Sequence, residues 1–200
     1  MNLPIVPDER STPSSIFLRL NAAEPRPREL AWHEFWSLYA PIIAGFARNI
    51  GIAAQDVDDI VQDVLTGFYS VSPTFVYDPQ KGRFRGYLKT ATQHAIAKAT
   101  ARNGIQAVPL ATLDRAAATV DAQWEVEWMH HLLSRALDQV RRKYPNSITL
   151  KVYERYVLDG APPQAVAEKF GVSVDTVYQA KARITDVLKR IVSQLEQDEG

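Results

Sequence analysis

The chain has 200 residues, with 23 Lys and Arg against 23 Asp and Glu, 46% apolar residues and no cysteine. That length holds one large or two small domains, each able to bury a core. The missing cysteines exclude disulfides and thiolate metal sites and suit a reducing cytoplasm; no apolar run is long enough to span a bilayer, and Asp8, Glu9 and Arg10 stand where an export signal needs an apolar stretch.

In chain order, residues 1–28 hold five of the twelve prolines and little periodicity, which predicts an irregular arm with a short helix over SSIFLRL. From Glu29 to Asn49, Leu30, His33, Trp36, Leu38, Tyr39, Ile42, Ile43 and Phe46 recur near helical spacing, and Pro41 is expected to kink or divide the helix. Gln55 to Tyr69 is the clearest amphipathic helix. Val57, Ile60, Val61, Val64, Leu65 and Phe68 form its apolar stripe, and Asp56, Asp59, Gln62 and Asp63 lie away from it. A loop, SPTFVYDPQKG, precedes a helix from about Arg85 to Ala101.

Residues 105–123 are small, weakly patterned and turn-prone, and read as a flexible linker. Trp124 to Tyr144 reads as a helix with Trp124, Trp128, Leu132, Leu133, Leu137 and Val140 on one face, stopped by Pro145 and Asn146. A helix from Thr149 to Leu158 ends at Asp159-Gly160. Nothing reads as a strand. The expected fold is all-α: an arm at 1–28, a helical domain at 29–104, the linker at 105–123 and a second helical domain at 124–197.

The neutral total hides a sharp division. Asn49 to Gln80 carries Asp56, Asp58, Asp59, Asp63 and Asp78 with no Lys or Arg, whereas Lys81 to Arg102 carries six bases and no acid. Asp59 and Asp63 are one turn apart, an arrangement that costs a few tenths of a kcal/mol unless a basic partner faces it. The basic stretch interleaves Arg83, Arg85, Lys89 and Lys98 with Phe84 and Tyr87, a composition suited to phosphate neutralisation and base stacking on a separated strand; for either ring singly a place in the core, with the bases keeping the surface soluble, is the plainer alternative. Two surfaces of opposite sign call for two partners.

Residues 165–184, AVAEKFGVSVDTVYQAKARI, read as a helix-turn-helix. Ala167 permits close approach, Gly171 suits the left-handed turn, Val177 plugs the angle between the helices, and Ser173 can cap the second helix. Its outward positions include Ser173, Asp175, Thr176, Gln179, Lys181 and Arg183, of which Gln can read adenine and Lys and Arg can meet phosphate or guanine. An ordinary helical hairpin is the plainer alternative. No P-loop, nucleophile elbow or zinc-protease signature is present, and the pair Glu127 and His130 lacks the second pair a di-iron bundle needs, so neither an enzyme nor a cofactor is expected.

Acidic helix, basic aromatic segment, linker and helix-turn-helix, in that order, resemble a bacterial RNA polymerase sigma factor of the two-domain extracytoplasmic function type, over about residues 30–197. DVDDIVQDVLTGFY is similar to the family's polymerase-binding helix, and FVYDPQKGRFRGYLKTAT to its promoter-melting segment. The resemblance implies a factor that directs core polymerase to promoters. Asp59, Gln62 and Asp63 would face the clamp helices of its largest subunit. Arg83, Phe84, Arg85, Tyr87, His94 and Lys98 would meet the minus-ten element, and Ser173, Thr176, Gln179, Lys181 and Arg183 the minus-thirty-five element. An anti-sigma factor is a further partner that such proteins often have. His94, Lys98, Asp175, Tyr178 and Gln179 depart from the family's usual residues, which separates this chain from any borrowed promoter consensus. A free-standing helix-turn-helix regulator and a sigma-like interaction module without promoter activity remain open as alternatives.

Overall fold

Helices make up the regular structure of the computed structural model, which describes residues 13–22, 24–72, 84–103 and 117–198; no strand occurs among them. The helices are α1 (Pro13–Leu20), α2 (Pro25–Asn49), α3 (Ala54–Val71), α4 (Phe84–Asn103), α5 (Ala117–Lys143), α6 (Ile148–Tyr153), α7 (Pro163–Phe170) and α8 (Val174–Asp198), with a π-helical turn at Glu154–Leu158 after α6. The fold is all-α. No helix among the described residues is long and apolar enough to cross a membrane. They form two compact units, one running up to His131 and the other Leu132–Glu196.

In the first unit, the apolar stripe of α3 is wholly buried, from Val57 through Phe68. It meets α2, whose Phe35, Tyr39, Ile42, Ile43 and Phe46 are also enclosed. The short helix in the arm joins them: Ile16, Phe17 and Leu20 of α1 are buried. Five rings from four helices form the centre, with Phe35 stacked on Phe68 at 4.6 Å and Phe84 at 4.8 Å from Phe17 and 5.1 Å from Tyr39.

Two expectations need correction. Helix α2 starts at Pro25, four residues early, and Pro41 does not divide it. Pro25 and Pro27 suit a first turn, where an N–H has no partner in any case. Pro41 lies on the exposed side of the helix, where its ring displaces no core contact. Helix α5 starts at Ala117, so residues 117–123 are helical where a linker was expected. Val120 is the cause: it lies one turn before Trp124, and both are buried. The buried row is Val120, Trp124, Trp128, Leu132, Ala136 and Val140, with Leu133 exposed on the neighbouring face.

In the second unit, α7 ends in a Schellman motif. Gly171 adopts φ +64°, its N–H bonds the Glu168 carbonyl at 3.3 Å, and the Val172 N–H bonds that of Ala167 at 3.0 Å. Ser173 then caps α8, its Oγ accepting the Thr176 N–H at 3.1 Å. Val152, Val166, Ala167, Val177 and Ala180 pack as one cluster, flanked by Phe170 and Val172.

Candidate functional site

Burial of the α3 stripe forces the opposite face outward, and Asp59, Gln62 and Asp63 are all exposed there. Asp63 Oδ2 accepts from Lys98 Nζ of α4 at 3.1 Å, so the acidic and basic segments touch at their margin. Both side chains remain largely in water, which keeps the pair within about 1 kcal/mol. Continuing from Gln62 along the same face of α3, Thr66 and Tyr69 line a cleft of about 310 Å³ with Arg28, Glu29, Trp32 and Trp36 of α2. The sequence reading passed over this cleft, because its walls come from the start of one helix and the end of another.

Helix α4 sorts its side chains differently from expectation. Phe84 is 3% exposed, ringed by Phe17, Phe35, Tyr39 and Phe68, and has no face left for a nucleotide base. Burying its whole ring stabilises the unit by roughly 1.5–3 kcal/mol, which outweighs any surface role. Phe84 therefore anchors the start of α4 in the core. Tyr87 stacks on it at 5.7 Å and remains 38% exposed, so one aromatic ring of the pair reaches the surface. Partial burial raises the Tyr87 hydroxyl pKa above its ordinary value. His94 and Lys98 are exposed; Arg83 and the loop at 73–83 lie outside the described residues.

Arg85 and Lys89 are one turn apart on α4, and Asp121 and Glu125 one turn apart on α5. Arg85 pairs with Glu125, and Lys89 Nζ lies 2.5 Å from Asp121 Oδ1. As one index rises by four the other falls by four, the register of antiparallel helices. The Arg85 guanidinium also sits 5.5 Å from the Trp128 ring centroid. Trp124 packs edge-on against Phe46 at 5.1 Å, His131 lies against Tyr39, and Asn49 donates to Glu127 at 2.5 Å. The start of α5 is thus fastened to the helical core by apolar and ionic contacts together. The signal was present as two oppositely charged pairs at matching spacing, but Asp121 lies inside the stretch that reads as a linker.

On the second unit, Ser173, Thr176, Gln179, Lys181 and Arg183 are all exposed. Their hydrogen bonds are specific. The Ser173 and Thr176 hydroxyls lie 2.8 Å apart, and Gln179 Nε2 donates to Asp175 Oδ2 at 2.6 Å. Lys181 Nζ sits 5.7 Å from the ring of Tyr156, whose edge meets Tyr178. Among the described residues no group of acids and histidines is placed to hold a metal ion.

What the helices define is an all-α protein whose first unit exposes Asp59, Gln62 and Asp63 on α3 and Tyr87, His94 and Lys98 on α4. Residues 35–104, which run from the middle of α2 through α4, match the family model for sigma-70 region 2. The match supports a sigma-70 family member, a family of transcription factors and not of enzymes, and region 2 implies core RNA polymerase and promoter DNA as partners. Comparison with curated proteins and with solved structures finds no match.

Proposed function

We propose that this chain is a two-domain sigma factor of the extracytoplasmic function type that works in the cytoplasm, binding core RNA polymerase and choosing where it starts. The observation that carries this reading is the coincidence of the region 2 match with the helices that expose Asp59, Gln62 and Asp63 on α3 and Tyr87, His94 and Lys98 on α4.

The acids on α3 meet a basic face of the polymerase clamp, since like charges one turn apart become favourable against cations. Tyr87 offers a stacking ring to the melted strand of the minus-ten element, while Arg83, Arg85, His94 and Lys98 meet its backbone. Helices α7 and α8 serve as the helix-turn-helix of a region 4-like domain. Ser173, Thr176, Gln179, Lys181 and Arg183 then face the minus-thirty-five element, with α8 in the major groove. Two modest DNA contacts on one chain strengthen each other through effective concentration. An anti-sigma factor acts by covering either surface.

One observation favours a second reading: Arg85 and Lys89 already hold acids, as suits a sigma-like module without promoter activity. Titration of the labelled full chain with core RNA polymerase, beside Asp59→Lys/Asp63→Lys, tests the first reading. Tight binding lost in a variant that keeps its helical circular dichroism is expected; equal affinity for both proteins overturns the polymerase assignment.

A further inference from the structure

Asp175 and Gln179 stand one turn apart at the start of α8, both exposed, with the glutamine amide donating to the aspartate at 2.6 Å. A free glutamine amide rotates and presents either its oxygen or its nitrogen to a base edge. This one is constrained. An ionised carboxylate accepts hydrogen bonds and donates none, so the NH₂ group must face Asp175 and the flipped orientation is excluded. One N–H and the carbonyl oxygen of Gln179 are left for a second partner. In the major groove, adenine offers the acceptor N7 beside the donor N6 amino group, whereas guanine offers two acceptors, thymine an acceptor and a methyl, and cytosine a donor. A fixed oxygen with one N–H matches adenine on both counts.

The neighbouring groups leave this task to Gln179. The Thr176 hydroxyl is engaged with the Ser173 cap, and the Lys181 ammonium lies over Tyr156. Asp175 follows Val174 in the first turn of α8, where the positive end of the helix dipole offsets its charge against nearby phosphates.

We infer that Asp175 is a positioning residue that holds the Gln179 amide in the orientation that reads adenine in the distal promoter element. The inference rests on the duplex-reading role proposed for α8.

The test is selection of promoters from a library randomised over the distal element, using the full chain with core RNA polymerase. The wild type is expected to enrich adenine at one position, and Gln179→Ala to lose that enrichment roughly tenfold. Asp175→Ala is expected to lose it to a similar degree without changing preferences elsewhere in the element, and Asp175→Asn, whose amide can also donate to the Gln179 oxygen and so permits the flipped orientation, to lose part of it. Undiminished adenine preference in Asp175→Ala, with the preference lost in Gln179→Ala, overturns the positioning role alone. A wild type that binds polymerase yet enriches no base anywhere in the element overturns the duplex-reading role on which the inference depends.

Discussion

Arg85 of α4 forms an ion pair with Glu125 of α5, which places an acid on a base proposed to hold promoter DNA. Lys89 and Asp121 repeat the arrangement one turn away at 2.5 Å. Both acids are more than half exposed, at 56% and 57%, so incoming phosphates can compete for the bases without unpacking the core. The buried Trp124 and Trp128 between them hold α5 in place.

Removing those acids frees the bases. Asp121→Asn with Glu125→Gln is expected to raise affinity of the full chain for a single-stranded oligonucleotide about threefold or more at low salt, with the gain fading as salt rises. Fluorescence anisotropy across a salt series reads this directly. Equal affinity at every ionic strength would mean that the two ion pairs do not shield the strand site.

Phe84 and Tyr87 are expected to separate in their effects. Phe84→Ala opens a hole among four rings and costs roughly 3–5 kcal/mol, visible as a lower urea midpoint. Tyr87→Ala costs far less stability because its ring is already partly in water. Its effect is expected in promoter opening, as reduced permanganate reactivity of the melted bases with closed-complex binding retained. A stable Phe84→Ala protein would contradict the enclosed position of that ring.

Gly171 sits at φ +64°, a conformation that costs a residue with a Cβ about 1–2 kcal/mol. Nothing lies where a Cβ would project, so the penalty for Gly171→Ala is conformational, with no clash. Thermal unfolding should show a loss of that size in the cooperative unit containing α7 and α8. An unchanged melting temperature would count against the left-handed turn.

Tyr153 is buried, which raises its hydroxyl pKa above the ordinary 10.0, opposed by a smaller effect from its hydrogen bond with Thr185. The folded state therefore holds this proton more tightly than the unfolded state. The stabilisation is complete below pH 10.0 and is lost as pH rises through the higher folded value. Denaturant midpoints measured from pH 8 to 11 (roughly the span of tyrosine ionisation) should fall at the alkaline end, and less steeply in Tyr153→Phe. Parallel curves for the two proteins would assign the alkaline loss elsewhere.

The helices of the first unit were legible because their signals are local. The row Val57, Ile60, Val61, Val64, Leu65 and Phe68 can be buried on one side only as a helix, and that burial exposes Asp59, Gln62 and Asp63 on the other. Phe84 carried two readings in the sequence, a strand-binding ring and a core residue, because an aromatic among bases has the same composition whether it faces DNA or a core. Burial depends on what comes to meet it, here Phe17, Phe35, Tyr39 and Phe68 from three other helices.

By itself, then, the sequence determined the all-helical class, the separation of acidic from basic segments and the glycine at the α7–α8 turn, since periodicity and backbone sterics act over a few residues. The tertiary structure alone decided that α5 begins at Ala117, that its acids pair with Arg85 and Lys89, and that Phe84 belongs to the core. Those outcomes rest on contacts between residues tens of positions apart, where the match of surfaces selects the conformation and local propensity is nearly indifferent.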